Sequence, residues 1–159
     1  MLPLFMTTPM RAFFSTLFAT VLVTAQLLIG AGAAQARDSD DAEDAVVAMA
    51  AALEKDGYQF RAELWSAPMK DDVGRAVRVQ MFKGLEYQFC IAVSPAPATG
   101  FSAVLLDFEG KPFGKAKASP DGKTVILTAK PKKTGIYAVA MRQTGPGKTV
   151  ACALLTGWK

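Results

Sequence analysis

The stretch that most constrains this chain is Lys130-Pro131-Lys132-Lys133-Thr134-Gly135-Ile136-Tyr137-Ala138-Val139-Ala140-Met141, a basic turn running straight into a strand. Pro131 fixes its own φ and disfavours helix at Lys130, and Gly135 can take the positive φ that tight turns need. Beyond it, Ile136, Ala138 and Ala140 alternate with Tyr137, Val139 and Met141, so both faces are apolar. That pattern predicts a central strand packed on each side. Tyr137 is expected in the core, with its hydroxyl on a backbone partner near the corner.

The same period of two runs through everything after Tyr58. Tyr58, Phe60, Ala62 and Leu64 alternate with Gln59, Arg61, Glu63 and Trp65, which predicts a half-buried strand, and Ser66 to Gly74 reads as a polar loop. Val77, Val79 and Met81 mark a second strand. In a third, Leu85, Tyr87, Phe89, Ile91 and Val93 form a heavy apolar face, while Glu86, Gln88, Cys90 and Ala92 form a lighter one. Phe101 to Phe108 predicts a buried strand, and Phe113 to Ala118 an edge strand whose lysines discourage further pairing. After the turn Ser119-Pro120-Asp121-Gly122 come Thr124 to Ala129, the opening strand, and a closing strand from Val150 to Thr156. About seven or eight short strands with turns every eight to twelve residues predict an antiparallel β-sandwich over residues 58–159.

Residues 37–57 read differently. Ala42, Val46, Met49, Ala50 and Leu53 share one helical face, Asp40 and Glu43 are spaced as a capping box, and Gly57 follows as a left-handed cap. One short, acidic, amphipathic helix therefore precedes the sandwich. The run Asp38-Ser39-Asp40-Asp41-Ala42-Glu43-Asp44 lacks the glycine turn and distant glutamate of a calcium loop, so a solvated helix start is the better reading.

Residues 1–36 resemble a targeting segment. Arg11, an apolar run from Ala12 to Ile29 and the triplet Ala34-Gln35-Ala36 have the order of a secretory signal peptide cut after Ala36, with Met10 an alternative start. The competing reading is a membrane-spanning helix. Thr16, Thr20, Thr24 and Gln26 dilute the run, and the expectation is an exported, periplasmic or extracellular protein with no stable span after cleavage. Export gives meaning to the two cysteines. A Cys90–Cys152 bridge would close a loop of about 60 residues, worth roughly 3–4 kcal/mol in the chain-entropy model, the alternative being two buried free thiols.

Function classes narrow by absence. The chain has no histidine and no asparagine. Without the side chain that titrates near neutrality and most often binds metals, most hydrolase and zinc mechanisms are closed, and no enzyme activity, cofactor or metal is expected. Trp65 and Trp158 are the only tryptophans, which argues against recognition of neutral sugars.

From Gly84 onward, Leu85-Glu86-Tyr87-Gln88-Phe89, then Val104-Leu105-Leu106-Asp107 with Gly110 in the next turn, then Thr134-Gly135-Ile136-Tyr137 and a closing apolar strand, together resemble the bacterial pre-peptidase C-terminal domain. That family implies a jelly-roll-like sandwich and a non-catalytic accessory role. The strand that often carries its aspartates reads Phe101-Ser102-Ala103-Val104 here, so the resemblance does not extend to calcium.

Charge supplies the remaining expectation. Residues 37–56 hold two basic and seven acidic residues, a net of −5, whereas residues 57–159 hold fifteen basic and seven acidic, a net of +8. Lys115, Lys117, Lys130, Lys132 and Lys133 are the candidate face for an anionic envelope component or an acidic protein. The plainer reading is lysine placed on edges and turns for solubility, and a third has the acidic helix lying across the basic sheet. Nucleic acid is not expected. The alternative function is an inhibitor or chaperone-like partner of an exported enzyme, with the helix or a loop inserted into a cleft.

Overall fold

Among the described residues, one helix is followed by ten strands. The computed structural model describes residues 36–70, 73–97 and 100–159, and the expected leader up to residue 35 lies outside the described residues, as do Asp71 and Asp72. The strands are β1 (Gln59–Phe60), β2 (Trp65–Met69), β3 (Arg75–Met81), β4 (Tyr87–Ser94), β5 (Phe101–Leu106), β6 (Pro112–Phe113), β7 (Lys115–Ala118), β8 (Thr124–Ala129), β9 (Gly135–Gln143) and β10 (Val150–Trp158). Every pairing is antiparallel.

Two sheets result. One runs β1–β10–β4–β8–β7, with β2 also on β10, and the other runs β3–β9–β5–β6. The pairs β2·β10, β3·β9, β4·β8 and β5·β6 are those of one long hairpin whose arms have rolled up, and the rolling adds β10·β4 and β9·β5. This is the jelly-roll arrangement.

Alternation decides what each strand contributes. Tyr87, Phe89, Ile91 and Val93 of β4, Val125 and Leu127 of β8, and Cys152 and Leu154 of β10 point between the sheets. There they meet Val79 and Met81 of β3, Leu105 of β5, and Tyr137, Val139 and Met141 of β9. At about 1.5–3 kcal/mol for each fully buried large apolar side chain, this inter-sheet layer is the main source of stability. As expected, the Tyr137 hydroxyl donates to the Lys133 carbonyl at 2.9 Å, tying the basic turn to the core.

A third layer covers the larger sheet. Helix α1, residues 36–54, lays Ala42, Val46 and Ala50 on Cys90 and Ala92 of β4 and on Ala151, Ala153 and Leu155 of β10. Both surfaces are alanine-rich, which lets the helix approach closely. The left-handed Gly57 (φ 88°) closes the helix, its amide donating to Glu54 O at 3.0 Å. Because the helix already includes Asp40, the expected capping box does not form, and Ser39 Oγ instead donates to Glu43 Oε1 at 3.1 Å.

Several other expectations change. The strand expected over Tyr58–Trp65 is only β1, and the expected Ser66–Gly74 loop contains most of β2. Pro68 sits there because an edge strand tolerates a missing amide. The Phe113–Ala118 strand divides at Gly114 (φ 84°), where the chain crosses from one sheet to the other. A Cβ at Gly114 would lie 2.6 Å from the Thr128 carbonyl oxygen. Gly135 opens β9 opposite Met81 and takes no positive φ.

The Cys90–Cys152 bridge does not form either. Both thiols are free and buried. On adjacent strands, Cys90 is opposite Leu155 and Cys152 opposite Val93, so the two cysteines face opposite sides of one sheet. Cys90 lies under the helix, whereas Cys152 lies between the sheets with its Sγ 3.6 Å from Met141 Sδ. Burial pushes each thiol up to about 12.

Candidate functional site

Strand β9 is central to its sheet, as expected, but it is packed on one side only. Its inward residues are buried, whereas Ile136 is 60% exposed and Ala138 and Ala140 are partly exposed. The register extends this open face sideways. Ala140 lies between Ala76 of β3 and Val104 of β5, Ala138 lies between Arg78 and Leu106, and Arg142 is opposite Ser102. Short side chains along β9 and β3 make a trough floor, with Val104 and Leu106 on one flank.

Arginines stand at its margins. Arg78 and Arg142 are exposed, and no carboxylate occupies an outward position on the described β3, β9 or β5. A groove of about 690 Å³ opens at the Arg142 end, lined by Gly74, Ala76, Ser102, Val104, Ala140 and Arg142 among others. Gly74 is required for this close approach, since a Cβ there would meet the Met141 carbonyl oxygen at 2.7 Å. Such a face can hold an anionic group over apolar surface.

The opposite end of the same face carries exposed apolar side chains. Phe82 (50% exposed), just after β3, Phe108 (58%), just after β5, and Ile136, near the start of β9, lie at that end. The Lys83 amide donates to Thr134 Oγ1 at 3.0 Å, joining the β3–β4 and β8–β9 turns, and Lys133 Nζ lies 5.3 Å from the Phe108 ring centroid. Asp107 Oδ1 accepts from the Glu109 and Lys111 amides, each at 2.9 Å, which fixes the β5–β6 turn. Glu109 is paired with Lys111 at 2.6 Å. Lys83, Lys132 and Lys133 make no ion pair among the described residues.

The five predicted lysines do not form one face. Lys115 and Lys117 are on edge strand β7 opposite Thr128 and Ile126, which turns them to the outside of the larger sheet. Lys130, Lys132 and Lys133 lie in the β8–β9 connection, and only Lys133 is tied to the open face, through Phe108. Arg78 escaped the charge reading, and Arg142, one of the basic residues between Lys111 and Lys148, was not singled out for a face, although each alternates with inward apolar residues, which was the available signal. Nor does the acidic helix neutralise the sheet: neither ion pair among the described residues involves it. Its apolar face is seated on β4 and β10.

One polar cluster lies elsewhere, at the helix C-terminal end. The Tyr58 hydroxyl donates to Glu86 Oε1 and accepts from Gln88 Nε2 at 3.1 Å, while Thr128 Oγ1 donates to Gln88 Oε1 at 3.1 Å. Lys159 Nζ lies 4.2 Å from the Tyr58 ring centroid and 3.8 Å from Glu86. The Tyr58 hydroxyl, opposed by desolvation and aided by Lys159 and Lys130, holds the Glu86 carboxyl below its ordinary value. These groups satisfy one another, and the cluster reads as a structural tie. Among the described residues no three His, Cys, Asp or Glu side chains converge as metal ligands would.

Fold and face together define a class: an antiparallel jelly-roll sandwich with one sheet covered by a helix and the other open, apolar and edged by cations. No family model matches the chain, and no curated protein matches it.

Proposed function

We infer that this is an exported, non-catalytic sandwich module that binds an anionic component of the cell envelope through the open face of β3, β9 and β5. The observation that carries the reading is charge placed around unpartnered apolar surface: Arg78 and Arg142 border Ala138, Ala140, Val104 and Leu106, with no carboxylate among them. Exposed apolar surface of this kind marks a binding face, and the cations select the sign of the partner. The leader-like order of Arg11, the apolar run and Ala34-Gln35-Ala36 supports export. The likeness to the pre-peptidase C-terminal domain supports an accessory role.

The test is capture from native envelope extract by the purified protein, at low and high salt, beside an Arg78→Glu/Arg142→Glu variant. An anionic component held at low salt, released at high salt and missed by the variant supports the reading. Capture indifferent to both salt and charge reversal, with the variant folded, overturns it.

A further inference from the structure

We propose that the partner is an anionic lipid leaflet, met by the end of the sandwich where Phe82, Phe108 and Ile136 lie. The inference rests on the proposed function and deepens it. Phe82 follows β3, Phe108 follows β5 and Ile136 is the second residue of β9, three chain segments distant in sequence. Each is half exposed or more, a costly arrangement for large apolar side chains unless something covers them.

Their neighbours identify the cover. Lys83 adjoins Phe82, Lys132 and Lys133 occupy the turn before Ile136, and the Lys133 ammonium lies against the Phe108 ring. The carboxylates nearby in sequence are engaged: Asp107 by its own turn amides, Glu109 by Lys111, and Glu86 by Tyr58 and Lys159. Three ammonium groups without an ion pair among the described residues thus lie on the turns that carry or adjoin three exposed apolar side chains.

A small anionic ligand is better held in a concave site. An apolar tip with lysines beside it suits a broad surface that is anionic outside and apolar just beneath, where rings enter the headgroup boundary and ammoniums meet the phosphates. The face of Arg78 and Arg142 continues from this tip and would take further headgroups. Lys115 and Lys117 are on the outside of the other sheet and take no part.

The test is co-sedimentation of the full protein with vesicles of mixed phosphatidylglycerol and phosphatidylcholine, and with vesicles of phosphatidylcholine alone. Binding is expected to the anionic vesicles only and to weaken as salt rises. Lys132→Glu/Lys133→Glu should lower partitioning at least ~10-fold, two reversed charges each counting for several-fold. Phe82→Ser/Phe108→Ser should lower it by a similar factor, while Lys115→Glu/Lys117→Glu should change it by less than about threefold. All four sites of the first two variants are exposed, and unchanged thermal melts establish that each variant is folded.

Three results overturn the inference: no binding to anionic vesicles, binding indifferent to loss of the two phenylalanines, or binding that depends on Lys115 and Lys117. Capture from envelope extract separates the two proposals. If vesicles fail but a salt-sensitive protein or glycan is captured, the lipid inference falls and the anionic-partner reading stands. If both fail, both fall.

Discussion

Tyr137→Phe isolates the bond that fixes the basic turn. The ring stays, 96% buried and 5.5 Å from the Phe113 ring centroid, while the 2.9 Å bond to the Lys133 carbonyl is lost. A net hydrogen bond contributes about 0.5–1.5 kcal/mol, and because Lys133 is exposed, water can replace the lost donor. The expected cost is therefore about 1 kcal/mol, against roughly 3–5 kcal/mol for Tyr137→Ala, which also empties the ring's site. For about 120 folded residues the smaller figure corresponds to a fall in Tm of roughly 4 °C. Urea unfolding with an unchanged slope is the assay. A Tyr137→Phe variant within about 0.3 kcal/mol of the parent would refute the reasoning, because the hydroxyl would then contribute no more than its hydration.

Two further outcomes follow from groups outside the open face. Cys90 and Cys152 should resist a thiol reagent in the native protein and both react after denaturation, with no bridge by mass; rapid labelling of either in the folded state would contradict their burial and their thiols' rise to about 12. The Glu86 carboxyl is depressed in the folded state, so its stabilisation is full above the ordinary value of 4.5 and is lost as pH falls through the lower folded value. The stability difference between the parent and Glu86→Gln should hold steady near neutrality and shrink in acid, and a difference that grows below 4.5 would reverse the sign argued here.

Where the sequence was legible, side-chain size at alternating positions made it so. The heavy odd-numbered face of β4, from Tyr87 to Val93, fills the inter-sheet core, and its light face, with Cys90 and Ala92, accepts the helix. The Tyr137 bond and the lysine-bearing edge strand could be anticipated because each depends on a few neighbouring residues. Contacts set by distant register could not. Whether Cys90 reaches Cys152 depends on pairing Leu155 with Cys90, and no local pattern encodes that offset. The crossing at Gly114 likewise depends on the Thr128 carbonyl from another strand. Phe101 to Phe108 was expected to be buried throughout, yet Val104 is 37% exposed and Phe108 more so, because apolar composition does not say which sheet receives a cover.

That asymmetry between the sheets constrains the partner. Under the helix, the larger sheet's outer surface presents Gln88, Cys90 and Ala92 beside Ala151, Ala153 and Leu155, without a charge, while Lys115 and Lys117 stand apart on edge strand β7, so an apolar helix face covers this part at no electrostatic cost. The smaller sheet has a comparable alanine-rich centre in Ala76, Ala138 and Ala140, but Arg78 and Arg142 stand among its outward positions. Covering it with a similar apolar surface would strip two guanidinium groups of water without replacement, a penalty of several kcal/mol for each ion. The proposed partner would therefore supply anions at those positions and apolar contact between them. The same two demands recur at the other end, where Lys83 adjoins Phe82, Lys132 and Lys133 precede Ile136, and Lys133 lies against Phe108. Under the proposal, a single cover that is charged at its rim and apolar at its centre satisfies both ends of the face.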